Sequence, residues 1–203
     1  MNNLFFLKSK MQYIPVKFNF LLLLIFLSNS GYSQETTLVS NDMMASGRLQ
    51  QKTKNPFNKF IGEWTLKDDN WSQNWGNGTE NIRIPNHHTV CKELNTDNSL
   101  LAVIDGTPPY GHIFWSYNPV KKEVDHLSSF GTTRAGVGKG KVNENGDVTL
   151  KISFADEAEG TYRLYTYKWI SENEYDLKSI QYNDKNEATG YFYGGTFVRI
   201  DTK

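Results

Sequence analysis

The chain lacks most of the features that would point directly to a function. It has a single cysteine, Cys91, among 203 residues, so no disulfide can form within the chain. Its 22 basic and 22 acidic residues balance, which argues against a nucleic-acid or anionic-membrane partner, because such a partner requires a basic face. No Ser-His-Asp, G-x-S-x-G or Cys-His signature occurs in a convincing context. Because no disulfide can form within the chain, folding depends on a hydrophobic core. We predict that Cys91 lies in this core as a buried, inert thiol.

Only one long apolar run is present, and it lies near the start of the chain. Three lysines and no acidic residue accompany the apolar residues 18–27, and small residues follow up to Ser33. This order is typical of a secretory signal peptide. The run is shorter than the roughly 20 apolar residues of a spanning helix, which argues against a retained membrane anchor. We predict a signal peptide over residues 1–33, cleaved before Gln34, and export to the periplasm or the medium.

The predicted mature chain divides into a lead-in and one domain. Removal of the three lysines leaves a net charge of about −3. Residues 34–54 are polar and aperiodic, and we predict a disordered lead-in there. Residues 55–203 suffice for one domain with a sizeable core. Its first residues, Asn55 and Pro56, favour a short helical turn.

The rest of the domain is a series of short segments with the periodicity of strands. Every second residue of 147–154 is apolar, and Asn145-Gly146 just before that segment is a strong hairpin signal. About ten such segments follow one another up to Ile200, and we expect the polar residues 69–78 to be a long connection. The pattern predicts an all-β fold, an antiparallel meander closed as a roughly ten-stranded barrel with room for a cavity. A sandwich of two sheets is the alternative.

Two segments resemble those that close the base of a known barrel family. They are residues 60–64 (FIGEW), which open the first strand, and residues 196–200 (TFVRI), which end the last strand. With the meander between them, residues 55–200 resemble the lipocalin-like group of calycins. They are most similar to uncharacterised secreted lipocalin-like domains of bacteria, and more distantly to nitrobindin and fatty-acid-binding proteins.

The resemblance implies structural roles for three residues. In that group the Trp of the G-x-W motif plugs the closed end and a basic residue of the last strand stacks on it, which implies this role for Trp64 and Arg199, with Gly62 opening the motif. Two departures limit what else carries over. The glycine pattern that follows the Trp in nitrobindin is missing, and the Arg-x-Tyr pair of fatty-acid-binding proteins has its nearest match at 163–165, on the third strand from the end.

One predicted strand carries a candidate ligand-binding face. Arg163, Tyr165, Tyr167 and Trp169 recur at every second position, so they share one face of the strand. Facing inward, they form a cavity wall with one cation and three aromatic surfaces, which suits an amphipathic or carboxylated ligand. The alternative places this face outside, and the pairing with residues 148–154 permits either arrangement.

Histidines provide the second set of candidates. His112 and His126 lie on neighbouring predicted strands, close to Trp115, and all three are candidate ligand-binding residues. Either histidine is also a candidate haem ligand or acid–base group. An ordinary structural histidine is the alternative. The adjacent pair His87-His88 is a poor metal site, because neighbouring strand residues point to opposite faces. We predict no metal site and leave the cofactor open, with haem as a candidate.

Two other motifs favour structural interpretations. Residues 136–141 (GVGKGK) resemble a phosphate loop only superficially, since no helix follows them, and glycines that allow a barrel strand to bend explain them better. The carboxylates Asp156, Glu157 and Glu159 are predicted to be solvated in a turn.

The sequence thus predicts a secreted, soluble barrel that holds a small apolar or amphipathic ligand, with no nucleic-acid partner and no catalytic residue assigned. Three alternatives remain at this point. They are a barrel enzyme of isomerase or cyclase type, a haem-binding protein similar to nitrobindin, and a non-catalytic secreted protein that binds a partner through Trp71 and Trp75. The identity of the ligand and the oligomeric state are left open.

Overall fold

The computed structural model describes residues 55–94 and 97–200, which form twelve strands after a 3-10 turn at Asn58–Phe60. The strands are β1 (Gly62–Leu66), β2 (Asn70–Asn74), β3 (Glu80–Arg83), β4 (His88–Glu93), β5 (Ser99–Asp105), β6 (Gly111–Asn118), β7 (Glu123–Phe130), β8 (Arg134–Val142), β9 (Val148–Phe154), β10 (Tyr162–Ser171), β11 (Glu174–Tyr182) and β12 (Ala188–Arg199). The predicted signal peptide and lead-in, residues 1–33 and 34–54, lie outside the described residues. Within the described ranges, no helix is long and apolar enough to cross a membrane.

Ten of the strands close an antiparallel barrel. Their order is β1-β4-β5-β6-β7-β8-β9-β10-β11-β12, and β12 pairs again with β1. At this seam Trp64 lies opposite Arg199, and Leu66 lies opposite Phe197. From β4 to β12 the neighbours in the sheet are also neighbours in the chain, as in a meander. The prediction of a roughly ten-stranded antiparallel barrel with a short N-terminal helical turn is confirmed, and the sandwich is excluded.

The strands β2 and β3 are joined to this barrel through β12. β2 pairs with β12 on one side and with β3 on the other. The expectation of a connection over residues 69–78 is therefore wrong for Asn70–Asn74. The strand is hard to recognise because Trp71 is its only apolar residue. A bend separates it from β1, since Asp68 and Asp69 adopt φ values of 54° and 56°.

The pairing of β8 with β9 builds one wall of the core. The apolar row of β9 points inward and is buried, and it consists of Val148, Leu150, Ile152 and Phe154. Residues 136–141 lie within β8 and are followed by a hairpin, as the structural interpretation of these glycines predicts. A Cβ atom added at Gly140 would lie 1.9 Å from the carbonyl oxygen of Thr149. Glycine thus lets β8 approach β9 closely.

One end of the barrel, here called the closed end, is sealed by Arg199. Its guanidinium carbon lies 4.3 Å from the centroid of the Trp64 ring. The same guanidinium donates hydrogen bonds to the carbonyl oxygens of Ile61 and Lys59, at 2.7 and 2.8 Å. The indole N–H of the fully buried Trp64 donates to the carbonyl oxygen of Phe60 at 2.7 Å. These contacts join the last strand, the first strand and the N-terminal turn. Since Arg199 is half-buried, its cation–π contact contributes about 1–2 kcal/mol.

Gly62 is the residue that makes room for this arrangement. Its φ of 134° is one that side-chain-bearing residues rarely adopt, and a Cβ atom there would lie 2.4 Å from Nη1 of Arg199. The guanidinium cannot move aside without losing its hydrogen bonds to the N-terminal turn. The G-x-W spacing therefore follows from the close approach of Arg199 to the backbone of the first strand.

We expect the substitution Gly62→Ala to lower the free energy of unfolding by about 2–4 kcal/mol, because it adds backbone strain and displaces the guanidinium. Gly131→Ala is the matched control, since Gly131 also has a positive φ, of 56°, but a Cβ atom there meets nothing within 4 Å. We expect it to cost about 1 kcal/mol. Urea unfolding of both variants measures the difference, and equal losses would contradict the role given to Gly62.

Candidate functional site

The barrel contains a cavity of about 840 Å3, within the range of roughly 300–1,000 Å3 that is typical of small-molecule sites. Its lining is mostly apolar and aromatic. Next to the closed end it is lined by Phe60, Trp115, Tyr167 and Tyr175. Its aliphatic lining consists of Leu100, Ala102, Ile104, Ile113 and Leu177, and the lining at the other end includes Trp75, Arg83, Thr107, Pro108, Arg134 and Asp156. Arg83 and Pro108 are exposed, so the cavity reaches the surface at this second end, here called the open end.

The structure places the candidate face of β10 inside the barrel. Arg163, Tyr165 and Tyr167 lie opposite the buried Ile152, Leu150 and Val148 of β9, and all three are buried. Tyr165 and Tyr167 line the cavity. Burial raises the pKa of both hydroxyl groups well above the usual value for tyrosine. They are therefore neutral hydrogen-bonding groups at physiological pH.

The fourth residue of that face, Trp169, lies at the closed end. Its indole N–H donates to the carbonyl oxygen of Gly146 at 3.0 Å. Its ring packs against those of Phe60 and Trp64, at centroid distances of 4.7 and 5.7 Å. Trp169 is not among the residues that line the cavity, so its contacts give it a place in the seal rather than in the wall of the cavity.

His126 is engaged in a buried chain of hydrogen bonds. The indole N–H of Trp115 donates to Nδ1 of His126 at 2.8 Å. Because an indole only donates, Nε2 of His126 carries the proton and donates to Oγ of Ser128 at 2.9 Å. Burial lowers the pKa of His126 to about 4. Both ring nitrogens of this neutral imidazole are thus occupied, and neither one is free to ligate an iron in the cavity.

His112 lies on the outer face of β6 and is exposed. It is three positions from Trp115, and an odd separation puts two residues on opposite faces of a strand. Of the three residues that the sequence analysis groups there, the structure brings Trp115 and His126 together, directly opposite each other on β6 and β7. It places His112 away from the cavity.

A different histidine, His87, lines the cavity. Burial, with a smaller contribution from the neighbouring His88, lowers the pKa of His87 to about 4. His88 points the other way and contacts Asp105 and Glu63, at 2.5 and 3.2 Å. The two imidazoles therefore lie on opposite faces, as adjacent strand residues should. The described ranges contain no group of three or more His, Cys, Asp or Glu side chains placed to hold a metal ion.

Cys91 is a further lining residue that the sequence analysis did not place in the site. It lies on β4, four positions after His87, and so shares the inward face of that segment. Burial raises the pKa of its thiol to about 12. The prediction that Cys91 is buried is confirmed, and the raised pKa keeps its thiol protonated.

Charged side chains gather at the open end. Glu157 accepts hydrogen bonds through Oε1 from Nε of Arg163 at 2.5 Å and from Nη2 of Arg134 at 2.9 Å, and through Oε2 from Gln181 at 3.1 Å. Burial raises the pKa of Glu157, but these hydrogen bonds outweigh burial and hold the pKa below its usual value. The prediction that the carboxylates of this turn are solvated is wrong for Glu157, whose side chain is only 8% exposed.

Aromatic side chains cover this charged group. The Arg163 guanidinium carbon lies 4.9 Å from the ring centroids of both Trp75 and Tyr193. The hydroxyl groups of Tyr193 and Tyr165 form a short hydrogen bond. Trp71 stacks on Tyr193 at 5.6 Å. The two Trp residues that the sequence analysis considered as an exposed partner-binding patch thus form part of the lining at the open end.

No protein-family model matches the chain, and no curated protein matches it. Among solved structures, an S-type phycobiliprotein lyase from Guillardia theta is similar with a TM-score of 0.50 and 13% identity, over 72% of this chain and 92% of that one. EF1p2_mFAP2b, solved bound to DFHBI, matches with a TM-score of 0.33 and 12% identity, over 70% and 95% of the two chains. A protein of unknown function from the DUF3598 family of Nostoc punctiforme matches with a TM-score of 0.20 and 10% identity, over 72% and 98%. The first similarity is one of fold and supports a calycin-like barrel.

The two buried histidines predict how stability depends on pH. Both have a folded-state pKa of about 4, below the ordinary value of 6.5, so between these pH values the unfolded chain binds more protons and acid favours unfolding. We expect the free energy of unfolding to fall by about 1–2 kcal/mol per histidine from about pH 7.5 to about pH 5. The variant His126→Gln should lose less of its free energy of unfolding over this pH range, because it lacks one of the two histidines.

Urea unfolding at the two pH values measures this change. His88 changes the free energy of unfolding in the opposite direction, because its pKa is raised, chiefly by the hydrogen bond to Asp105. The stability that His88 contributes is lost as the pH rises. The comparison of the wild type with His126→Gln cancels the contribution of His88. If the acid-induced loss is the same in both proteins, His126 is not the buried neutral group described here.

Proposed function

We propose that the protein binds a small apolar or amphipathic molecule inside its barrel. The observation that carries this proposal is the cavity of about 840 Å3, which is walled mainly by aromatic and aliphatic side chains and has the exposed Arg83 and Pro108 among its lining residues. A site of this kind obtains affinity from burial of the ligand's apolar surface, at roughly 25 cal/mol per Å2, and orientation from a few polar groups. Barrels of similar strand number are wide enough to hold one small ligand.

The protonation states of the cavity residues favour binding over acid–base catalysis. Burial keeps the Tyr165, Tyr167 and Tyr175 hydroxyl groups protonated, and it keeps His87 neutral. A general acid or base works best with a pKa near the operating pH, and these side chains have been moved away from it. These protonation states therefore favour a ligand-binding protein over an isomerase or a cyclase.

The direct test is binding of a neutral apolar fluorophore such as N-phenyl-1-naphthylamine. We expect the wild type to bind it with increased emission, and Ala102→Trp to weaken binding about tenfold, because Ala102 is buried in the wall and the larger side chain fills the cavity. The control is Val103→Trp on the outer face of the same strand.

Thermal unfolding of both variants checks that they fold. Weaker binding of the fluorophore by Ala102→Trp, but not by Val103→Trp, supports binding inside the barrel. Equal weakening by the two variants, or no binding of the fluorophore by the wild type, would contradict the proposal.

We also propose that the protein acts outside the cytoplasm. The support is the lysine-containing start, the apolar residues 18–27 and the small residues before Gln34. Expression of the full chain in a bacterial host followed by intact mass measurement tests it. We expect a species that begins at or near Gln34 in the periplasmic or medium fraction, whereas a full-length species confined to the cytoplasm would contradict export.

A further inference from the structure

The open end contains a buried guanidinium with an unused N–H group. Arg163 is 1% exposed, and its Nε donates to Glu157. Its Nη1 is buried and has no hydrogen-bond partner among residues 55–94 and 97–200. A buried donor without an acceptor is costly, above all on a charged group. Such atoms are uncommon in native proteins, and each needs an explanation.

The charges around Arg163 indicate which acceptor would suit it. Arg134 and Arg163 both donate to the same oxygen of Glu157, so two guanidinium groups share one buried carboxylate. The other acidic group, Asp156, has a side chain that is 35% exposed, and it pairs with Arg134 from the solvent side. The two carboxylates thus balance the two guanidinium groups, and Arg134 is bonded to both of them. The acceptor that is missing is one for Nη1 of Arg163, and an ionised oxygen is the strongest acceptor for a guanidinium N–H.

The cluster is also connected to the cavity. Arg134 lines the cavity, as do Trp75 and Tyr193, the two rings that lie against the Arg163 guanidinium. Trp75 is 44% exposed and follows the last residue of β2, so it covers the guanidinium from the outside. Arg163 itself is not among the residues that line the cavity, so the ring of Trp75 or of Tyr193 has to move for a ligand to reach Nη1 of Arg163.

We propose that the ligand of this cavity is a monocarboxylate with an apolar body. Its carboxylate accepts a hydrogen bond from Nη1 of Arg163, and its body extends toward Trp115 and Tyr167 near the closed end. A charge-assisted hydrogen bond in a dry site is strong, so the carboxylate sets both the orientation and the selectivity. This inference rests on the proposed function, since a barrel that binds nothing cannot select a carboxylate.

Two probes that differ only at the polar terminus test the inference, namely 1-pyrenebutyric acid and 1-pyrenebutanol. Binding is followed by energy transfer from the protein's tryptophans to pyrene, at neutral pH, with the full protein. We expect the acid to bind at least about tenfold more tightly than the alcohol. Equal affinities would overturn the carboxylate site and leave the proposed function intact. Failure of both probes to bind would overturn both.

A pair of double variants locates the selectivity. Arg163→Gln with Glu157→Gln removes the buried ion pair and leaves Arg134 paired with Asp156. We expect the preference for the acid to fall below about threefold while the alcohol binds as before. The matched control is Lys139→Gln with Glu123→Gln, which removes a solvent-exposed ion pair of 2.7 Å elsewhere on the barrel. We expect it to keep the preference. A preference that survives in the first double variant would overturn the role of Arg163.

Discussion

The contact between Arg199 and Trp64 is the constraint on which the rest of the barrel depends. A closed sheet needs its last strand to meet its first, and here that seam is held by a guanidinium between an indole ring and two backbone carbonyl groups. The same contact fixes the N-terminal turn, whose Phe57 and Phe60 pack onto Trp115. The cavity lies between this seal and the open end.

The two ends of the barrel differ in chemistry, and this difference gives the cavity a direction. Trp64, Trp169 and Tyr175 pack edge to face at the closed end, where the two indole N–H groups donate to backbone carbonyl oxygens. At the open end, Arg134, Arg163 and Glu157 form buried ion pairs beneath aromatic rings. An amphipathic molecule is therefore expected to enter with its apolar part first and to leave its polar group at the open end.

The parts of this account that could be predicted from the sequence are those with local signals. Alternating residues and hairpin turns predict the meander, and the G-x-W motif with a late arginine predicts the seal. The inward direction of Tyr165 and Tyr167 could not be predicted, because the opposite face of β10 also carries apolar residues, such as Leu164. The contact of Glu157 with Arg134 joins residues 23 positions apart, and only the pairing of β8 with β9 brings them together. In the sequence, His87 stands out only as half of a poor metal pair. Its even spacing from Cys91, which is predicted to be buried, is the signal that could have placed His87 on the inward face.

The central claim is that the interior of the barrel is a binding site, and methyl NMR tests it most directly. Methyl groups of Ala102, Ile113 and Leu177 line the cavity, whereas those of Leu127 and Val137 are exposed on the outer surface. Titration with N-phenyl-1-naphthylamine is predicted to shift the first set and leave the second unchanged. Shifts confined to Leu127 and Val137, or no shifts at all, would contradict the account.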